Sequence, residues 1–420
     1  MGFYIKQIIK MMAQHVLFPI YYFICCRKPV TKGLVVFADE HKTACPPSMQ
    51  RLHDALLLRE ELMVVDDFFN LQAMSARAGM RRMLAFMKLY AQAEFVILQD
   101  NFLPVSSCHK RKGTKVIQLW HAGAGFKSSG YSRWGHVGCP GPISAHRQYR
   151  YGIAGSKNIA HFFSEVWGMN DEVVLPTGMP RMDEYLDEAV RRQKTEALYQ
   201  KYPFCKGKKV ILFAPTYRGR NKVEAHYPYE LIDFEGLARV CGDEYVVLFK
   251  MHPWVSKPIP IPKAYADRFV DVVKYPNIND LFYITDLLIT DYSSNIFEYS
   301  LMKKPMLFFA YDKIQYSFSR GFHRPYEESA PGKVCYTFAQ LLAAIAARDF
   351  EFEKVALYVE HHFDYIDTHA SDRVIDWLLL DDMPQEFRDE IRKVNEAVAY
   401  RKGLDFTLGG KRRPVSEMEE

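Results

Sequence analysis

Residues 280–299 read DLFYITDLLITDYSSNIFEY. Within them Leu287–Thr290 is a short apolar run that ends on Asp291. An apolar run of that length between turn residues marks a buried parallel strand. Ser293 and Ser294 come next, and Ile296, Phe297 and Leu301 then recur at helical spacing. Serine ahead of such a segment reads as a helix N-cap. The stretch is therefore a strand, a tight turn and a helix. Its turn would offer two hydroxyls and unpaired backbone N–H groups at the positive end of a helix, an arrangement that takes phosphate. An ordinary capped turn without a ligand has the same local sequence, so the neighbouring strand ends must decide between the two.

The same pattern repeats in both directions. In the N-terminal half, strands are expected at Leu34–Phe37, Leu62–Val65, Phe95–Leu98, Lys115–Trp120, Tyr151–Ala154 and Val173–Leu175. In the C-terminal half they are expected at Lys209–Phe213, Tyr245–Lys250, Phe269–Val273, Leu287–Thr290 and Met306–Phe309. Helical spacing runs over Ser48–Leu58, Met74–Tyr90, Arg181–Lys201, Ser371–Leu380 and Glu386–Ala399. Strands alternating with helices predict parallel α/β sheets. The expectation is two Rossmann-like domains facing a cleft, 33–180 and 181–382, with a segment 1–32 ahead of them. A C-terminal helix and basic tail would follow over 383–420. Ligands of such sheets bind beyond the carboxyl ends of the strands.

Composition narrows the function. With 49% hydrophobic and 25% charged residues in 420, the chain is globular. A net charge of +5 does not point to nucleic acid and suits an anionic ligand or an anionic membrane surface. The eight cysteines are scattered without a C-x-x-C pair, which argues against zinc and thioredoxin-type chemistry and for reduced thiols in a cytosolic compartment. There is no H-E-x-x-H and no paired D-x-D, so neither a metal nor a cofactor is expected. The apolar stretch within Met1–Cys26 is broken by Gln14, His15 and Pro19 and is short of the ~20 residues a membrane span needs. No small-residue cleavage site follows it. Two readings stay open: a basic amphipathic segment in the membrane interface, or a first helix packed on the protein.

The polar strand ends carry the chemistry. His121 directly follows a strand and precedes a glycine-rich run, Ala122-Gly123-Ala124-Gly125. A histidine there can take a proton from a hydroxyl nucleophile, while glycines let backbone approach a ligand or simply serve the turn. In the C-terminal half Thr216 and Arg218 follow one strand, Lys250 and His252 another, and Asp291, Ser293, Ser294 and Glu298 a third. Cations, hydroxyls and a helix end converge on what reads as a nucleotide-diphosphate site, with Glu298 placed to accept from ribose hydroxyls. Asp291 either braces its turn or touches ligand.

Seven stretches together carry a resemblance: LWHAGAGFKSSG (Leu119–Gly130), GMPRMD (Gly178–Asp183), ILFAPTYR (Ile211–Arg218), KMHP (Lys250–Pro253), ITDYSSNIFEY (Ile289–Tyr299), KKPMLFFAYD (Lys303–Asp312) and RGF (Arg320–Phe322). In this order they resemble the CDP-glycerol glycerophosphotransferase family, the teichoic-acid primases and polymerases, over roughly Gly33 to Leu380. The resemblance implies a GT-B-like fold and a peripheral membrane enzyme on the cytoplasmic face. The implied reaction transfers glycerol phosphate or another polyol phosphate from its CDP carrier to a hydroxyl of a lipid-linked glycan or polyol-phosphate acceptor, releasing CMP. It implies that His121 is the general base and that His252 contacts the donor phosphates. Arg218, Ser293, Ser294 and Arg320 would hold the diphosphate and Glu298 the nucleoside. Gly123, Gly125 and Lys127 fall on the acceptor side. The family's loop is often WHG followed by Pro-Leu-Lys; WHAGAGFK departs from it at Gly125 and Phe126, which bears on the acceptor. The resemblance is to the short enzymes that add one or a few units. A nucleotide-sugar glycosyltransferase and a catalytically silent membrane-surface protein are the competing readings.

Overall fold

The computed structural model describes Ile8 and residues 11–134, 139–140 and 145–403. They form two compact units. The first comprises the chain up to His121, Pro140–Arg181 and the chain from His369 onward; the second comprises Ala122–Cys139 and Met182–Thr368. Each is an α/β unit on one six-stranded sheet, parallel at every pairing.

The strands of the first unit are β1 (Thr31–Asp39), β2 (Met63–Phe68), β3 (Ala93–Leu98), β4 (Lys115–Gln118), β5 (Tyr151–Ile153) and β6 (Val174–Leu175). They lie in the order β2-β1-β3-β4-β5-β6, so the winding reverses between β1 and β3. Val35, Phe37, Phe95, Ile97 and Ile117 are buried in one core, as strands covered by helices on their faces require. The helix Ala76–Tyr90 starts on Ser75, whose hydroxyl accepts the Ala78 N–H, and buries Met83, Phe86, Met87 and Tyr90.

The second unit holds β7 (Lys209–Phe213), β8 (Tyr245–Phe249), β9 (Phe269–Asp271), β10 (Leu287–Thr290), β11 (Met306–Phe309) and β12 (Lys333–Cys335). Their order is β12-β11-β10-β7-β8-β9, a doubly wound sheet that reverses between β7 and β10. A crevice opens at such a reversal, beyond the carboxyl ends of the two strands, because the connections leave to opposite faces. All four residues of β10 are buried, as are those of β11.

The strand expectations hold to within a few residues, and β12 is an addition. It has three residues and no apolar run, and it exists through its pairing with β11. The single helix expected over Arg181–Lys201 is two, Arg181–Leu186 and Glu188–Lys201, because the Asp187 carboxylate caps the second by accepting from Ala189 and Val190.

The division of the chain also differs from the expected boundaries. Ala122–Cys139 belongs to the second unit, where Lys127 bridges Phe322 in antiparallel fashion. The segment from His369 returns to the first unit. Val374, Ile375, Leu378, Met383, Phe387 and Ile391 bury their side chains in its core, so the helix Gln385–Gly403 is part of that unit. The basic run Lys411–Arg413 lies outside the described residues, as do residues 1–7 and 9–10 of the N-terminal segment.

The remainder of that segment combines features of both open readings. In the helix Phe18–Cys25, Phe18 and Tyr22 are buried, and the Tyr22 ring lies 4.9 Å from that of Tyr90. Ile20 is 56% and Phe23 74% exposed, and Met11, Met12, Val16, Leu17 and Ile24 are exposed too. One side of the segment is packed on the protein, while a row of large apolar residues faces outward. Among the described residues no helix is long and apolar enough to cross a membrane.

Candidate functional site

The carboxyl ends of β7, β10 and β11 are tied together by a buried ion cluster. Asp291, fully buried at the end of β10, accepts from the Thr216 N–H at 2.8 Å and the Thr216 hydroxyl at 2.9 Å. Its second oxygen accepts from the Arg218 guanidinium at 3.0 Å. Asp312, beyond β11, receives Arg218 Nε at 2.6 Å and Nη2 at 2.9 Å, and the Tyr292 hydroxyl at 2.9 Å. Arg218 Nη1 donates to the Thr216 carbonyl at 2.9 Å and the Thr216 hydroxyl at 3.0 Å. A guanidinium has five N–H donors. All five of Arg218 are engaged within the protein, and the group lies 5.0–5.4 Å from the ring centroids of Tyr292, Tyr311 and Tyr316. The adjoining carboxylates drive its pKa upward despite burial.

Two features of this geometry bear on the expected roles. Asp291 ties its own turn to the end of β7, accepting on one oxygen from Thr216 and on the other from Arg218. Arg218 was expected to hold a diphosphate; here its N–H groups are all engaged by Thr216, Asp291 and Asp312. The serine cap also needs correction. The helix Ile296–Ser300 has only five residues, its N-cap is Asn295 and no side chain caps it; Ser293 Oγ accepts the Asn295 N–H at 3.3 Å. A helix this short contributes little dipole, so the donors at the turn are side chains and local backbone.

Around the brace sits a second set of groups that is not consumed. The Ser294 hydroxyl and the Lys127 ammonium have no hydrogen-bond or ion-pair partner among the described residues. Arg320 is exposed and makes one long approach to the Tyr217 hydroxyl, 3.4 Å. His252, three residues past the end of β8, accepts the Trp254 N–H on Nδ1 at 3.1 Å. With Nδ1 an acceptor, the neutral ring carries its proton on Nε2 and is a donor there. Burial, with help from Lys127 and Lys250, lowers its pKa to about 4, which keeps it neutral near pH 7. Tyr217 packs at 4.7 Å from the His252 ring. Lys250 is buried and donates to the Val273 carbonyl at 2.7 Å, so it ties β8 to the chain after β9. Glu298 is buried, 4% exposed, beside Tyr185 and Tyr358, whose hydroxyl pKa values it helps to raise.

The loop after His121 brings Lys127 to this cluster. Ser128 N–H donates to the Gly321 carbonyl at 3.2 Å and His323 N–H to the Phe126 carbonyl at 3.2 Å, flanking the Lys127–Phe322 bridge. Phe126 packs at 5.6 Å from Phe322 and 5.4 Å from Tyr326. Gly125 and Gly321 take left-handed backbone (φ 57° and 77°), which a side chain would strain. Gly123 is buried in the same loop. Lys127 is half-buried and lies in the field of Asp291, Arg320 and Arg218; desolvation lowers its pKa to about 8. Lys127, Gly123 and Gly125, expected on the acceptor side, are therefore in the unit that carries the anion-receptive cluster.

His121 closes the first unit's portion of the motif. Its Nδ1 lies 3.2 Å from the Gln99 carbonyl and 3.8 Å from Asp100 Oδ2. A carbonyl only accepts, so Nδ1 carries the proton and Nε2 is left with a lone pair, the tautomer a general base needs. The preceding residue, Trp120, has φ 59°, a left-handed conformation that costs a non-glycine residue roughly 1–2 kcal/mol. It is held by the Gln118 side chain, which accepts the Trp120 N–H at 3.0 Å, and by packing at 5.9 Å against Trp167. The two histidines thus have opposite tautomers, His121 poised to accept a proton and His252 to donate a hydrogen bond. Asp312, Tyr292, Gln99 and Tyr217 were not singled out from the sequence. Asp312 carried the same signal as the others, a carboxylate just past a buried strand. Among the described residues no three His, Cys, Asp or Glu side chains group as metal ligands.

Comparison with known proteins shows the family and the fold. Residues 20–380 match the model of the CDP-Glycerol:Poly(glycerophosphate) glycerophosphotransferase family. The chain is 38% identical over 366 residues to a teichoic acid poly(ribitol-phosphate) polymerase of Bacillus spizizenii, covering 87% of this chain and 59% of that protein. It is 42% identical over 289 residues to the teichoic acid ribitol-phosphate polymerase TarL of Staphylococcus aureus, covering 68% of this chain and 51% of TarL. The chain thus spans a little over half the length of these relatives. The solved structure of the wall teichoic acid polymerase TagF superposes with a TM-score of 0.65 at 23% identity, over 86% of this chain and 90% of that one, which establishes the shared fold. The chain belongs to the CDP-glycerol:poly(glycerophosphate) glycerophosphotransferase family.

Proposed function

We propose that the chain transfers a polyol phosphate from a CDP-linked donor to an acceptor hydroxyl and releases CMP, in the synthesis of teichoic acid or a related surface polymer. Ribitol phosphate is the favoured unit, since both relatives at 38% and 42% identity are named for it. The observation that carries the reading is the pair of histidine tautomers. His252 presents Nε2–H past the end of β8, next to β7, and packs against Tyr217, whose hydroxyl Arg320 approaches; these are donors a diphosphate needs. His121 presents a bare Nε2 that can accept a hydroxyl proton.

In the reaction the acceptor oxygen forms a bond to the β-phosphorus of the donor. The bond from that phosphorus to the bridging oxygen breaks in line, and CMP leaves with the electron pair. The hydroxyl proton passes to His121 Nε2, a contribution of roughly 10²–10⁴-fold in rate. His252, Ser293, Ser294 and Arg320 hold the diphosphate and stabilise charge on the departing phosphate. Thr216, Arg218 and Asp291 keep that surface rigid, Lys250 ties β8 down, and Glu298 meets the nucleoside. The exposed apolar row of the N-terminal helix, with the chain's net charge of +5, supports peripheral attachment to an anionic membrane on the cytoplasmic face, where a lipid-linked acceptor would be found.

The test is CMP release from CDP-ribitol and CDP-glycerol with a polyol-phosphate acceptor. Turnover of a CDP-polyol that disappears in His121→Ala, with the fold intact, supports the reading. Turnover of a UDP- or GDP-sugar in preference to both would replace it with the glycosyltransferase reading.

A further inference from the structure

Arg218, Lys250 and Arg320 are the cations expected from sequence at the diphosphate site, and the Arg218 donors are engaged within the protein. Every Arg218 donor is spent on Thr216, Asp291 and Asp312. A doubly ionised donor brought to the turn of Ser293 and Ser294 still needs compensating charge, because an unpaired anion next to a low-dielectric wall is costly. Two other cations stand there, Arg320 and Lys127. Arg320 is on the surface. Lys127 is recessed, fixed by backbone pairing with Phe322, and has no partner of its own among the described residues.

We propose that Lys127 is the recessed, half-buried cation that binds the donor diphosphate, and that it places a pH limit on donor binding. The proposal deepens the CDP-polyol reading and rests on it. The charged and titratable groups facing Lys127 come from four elements. Asp291 follows β10, Arg218 follows β7, Arg320 follows the helix Lys313–Ser319, and His252 follows β8 with Lys250 beside it. Asp291 attracts the ammonium, but its carboxylate is already paired with Arg218, and Arg320 and Arg218 repel the ammonium. Desolvation outweighs the attraction, which is why the ammonium deprotonates near pH 8 in the ligand-free protein. His252 is neutral over that range and does not mask the effect.

The sign is fixed by linkage. Diphosphate favours the charged lysine and raises its pKa, so the complex holds a proton that the free protein gives up above pH 8. Affinity is therefore flat below pH 8 and falls above it, by at most tenfold per pH unit. From pH 7 to pH 9.5 the loss reaches about 30-fold. Phosphate oxygens are fully ionised throughout, since their second pKa is about 6. Lysine, which stays on the protein side of this exchange, is the group whose pKa burial moves most readily.

Calorimetric titration of the full chain with CDP between pH 7 and 9.5 tests this, using wild type, Lys127→Arg and Lys127→Met. The wild type is expected to weaken above pH 8, Lys127→Arg to stay flat to pH 9.5, and Lys127→Met to bind roughly 10- to 100-fold more weakly at pH 7 with no pH dependence. Thermal midpoints of all three should match, because the ammonium has no internal partner to lose. Equal CDP affinity and an equal pH profile in wild type and Lys127→Met would overturn the assignment. Failure of the wild type to bind CDP at any pH would overturn the CDP-donor reading itself and this assignment with it.

Discussion

If Arg218 is a brace, removing it should unfold the second unit more readily, whatever happens to the ligand. Arg218→Met is the perturbation, since methionine fills part of the space without charge. It leaves Asp291 buried with no cation and frees Asp312 from a bidentate pair. Breaking a buried pair by deleting one partner costs about 3–5 kcal/mol. For a unit of roughly 200 residues each kcal/mol moves the midpoint by about 2–4 °C, so the melt should drop by about 6–20 °C. The assay is thermal unfolding followed by circular dichroism, with and without CDP. A second variant isolates the pair. Adding Asp312→Leu to Arg218→Met removes one of the orphaned carboxylates, so the double variant should be less destabilised than the sum of the singles. An unchanged midpoint in Arg218→Met, with CDP affinity lost, would show that the guanidinium serves the ligand and would refute the reasoning.

Three further outcomes follow from the same geometry. His121→Ala should lower CMP release roughly 10²–10⁴-fold while leaving the calorimetric affinity for CDP unchanged, since His121 lies in the first unit. Ser294→Ala should weaken CDP binding about 3- to 10-fold without moving the thermal midpoint, because its hydroxyl has no internal partner among the described residues. The third concerns acid stability. His362 is lowered to about 3 by burial, whereas an unfolded histidine titrates near 6.5. Below pH 6.5 the unfolded chain takes up a proton that the native protein refuses, so stability is present above pH 6.5 and is lost as pH falls toward 3. The slope is at most about 1.4 kcal/mol per pH unit, and His362→Phe should flatten it in urea titrations at pH 7, 5.5 and 4.5. His252 adds in the same direction down to about pH 4, less steeply because it is only half-buried.

Much of the architecture was legible because its signals are local. Buried parallel strands are short apolar runs, and those of β7, β10 and β11 could be read to the residue. Strand ends could be read for chemistry because a polar residue just past such a run has only the crevice or its rim to occupy. What could not be read is partnership. Arg218 and His252 look alike in sequence, as polar residues after strands. The difference between them is that Asp291 and Asp312 enclose the guanidinium, while the imidazole's one hydrogen bond among the described residues comes from the Trp254 N–H. The unit that holds Lys127 was hidden for a related reason. Lys127 follows His121 by six residues, and nothing local says that the chain leaves the first unit at Ala122 and pairs with Phe322, nearly two hundred residues away in sequence. The serine cap misled because the pattern of Ile296, Phe297 and Leu301 fits a long helix, yet the helix ends at Ser300.

The central claim is that a CDP-polyol is the donor and His121 the base. It is tested most directly by following CMP release from CDP-ribitol, CDP-glycerol and UDP- and GDP-sugars, with a polyol-phosphate acceptor and wild-type and His121→Ala protein in parallel. CMP should appear with a CDP-polyol, CDP-ribitol ahead of CDP-glycerol, and should fall by two or more orders of magnitude in His121→Ala. Undiminished release by His121→Ala, or turnover confined to a nucleotide sugar, would contradict it.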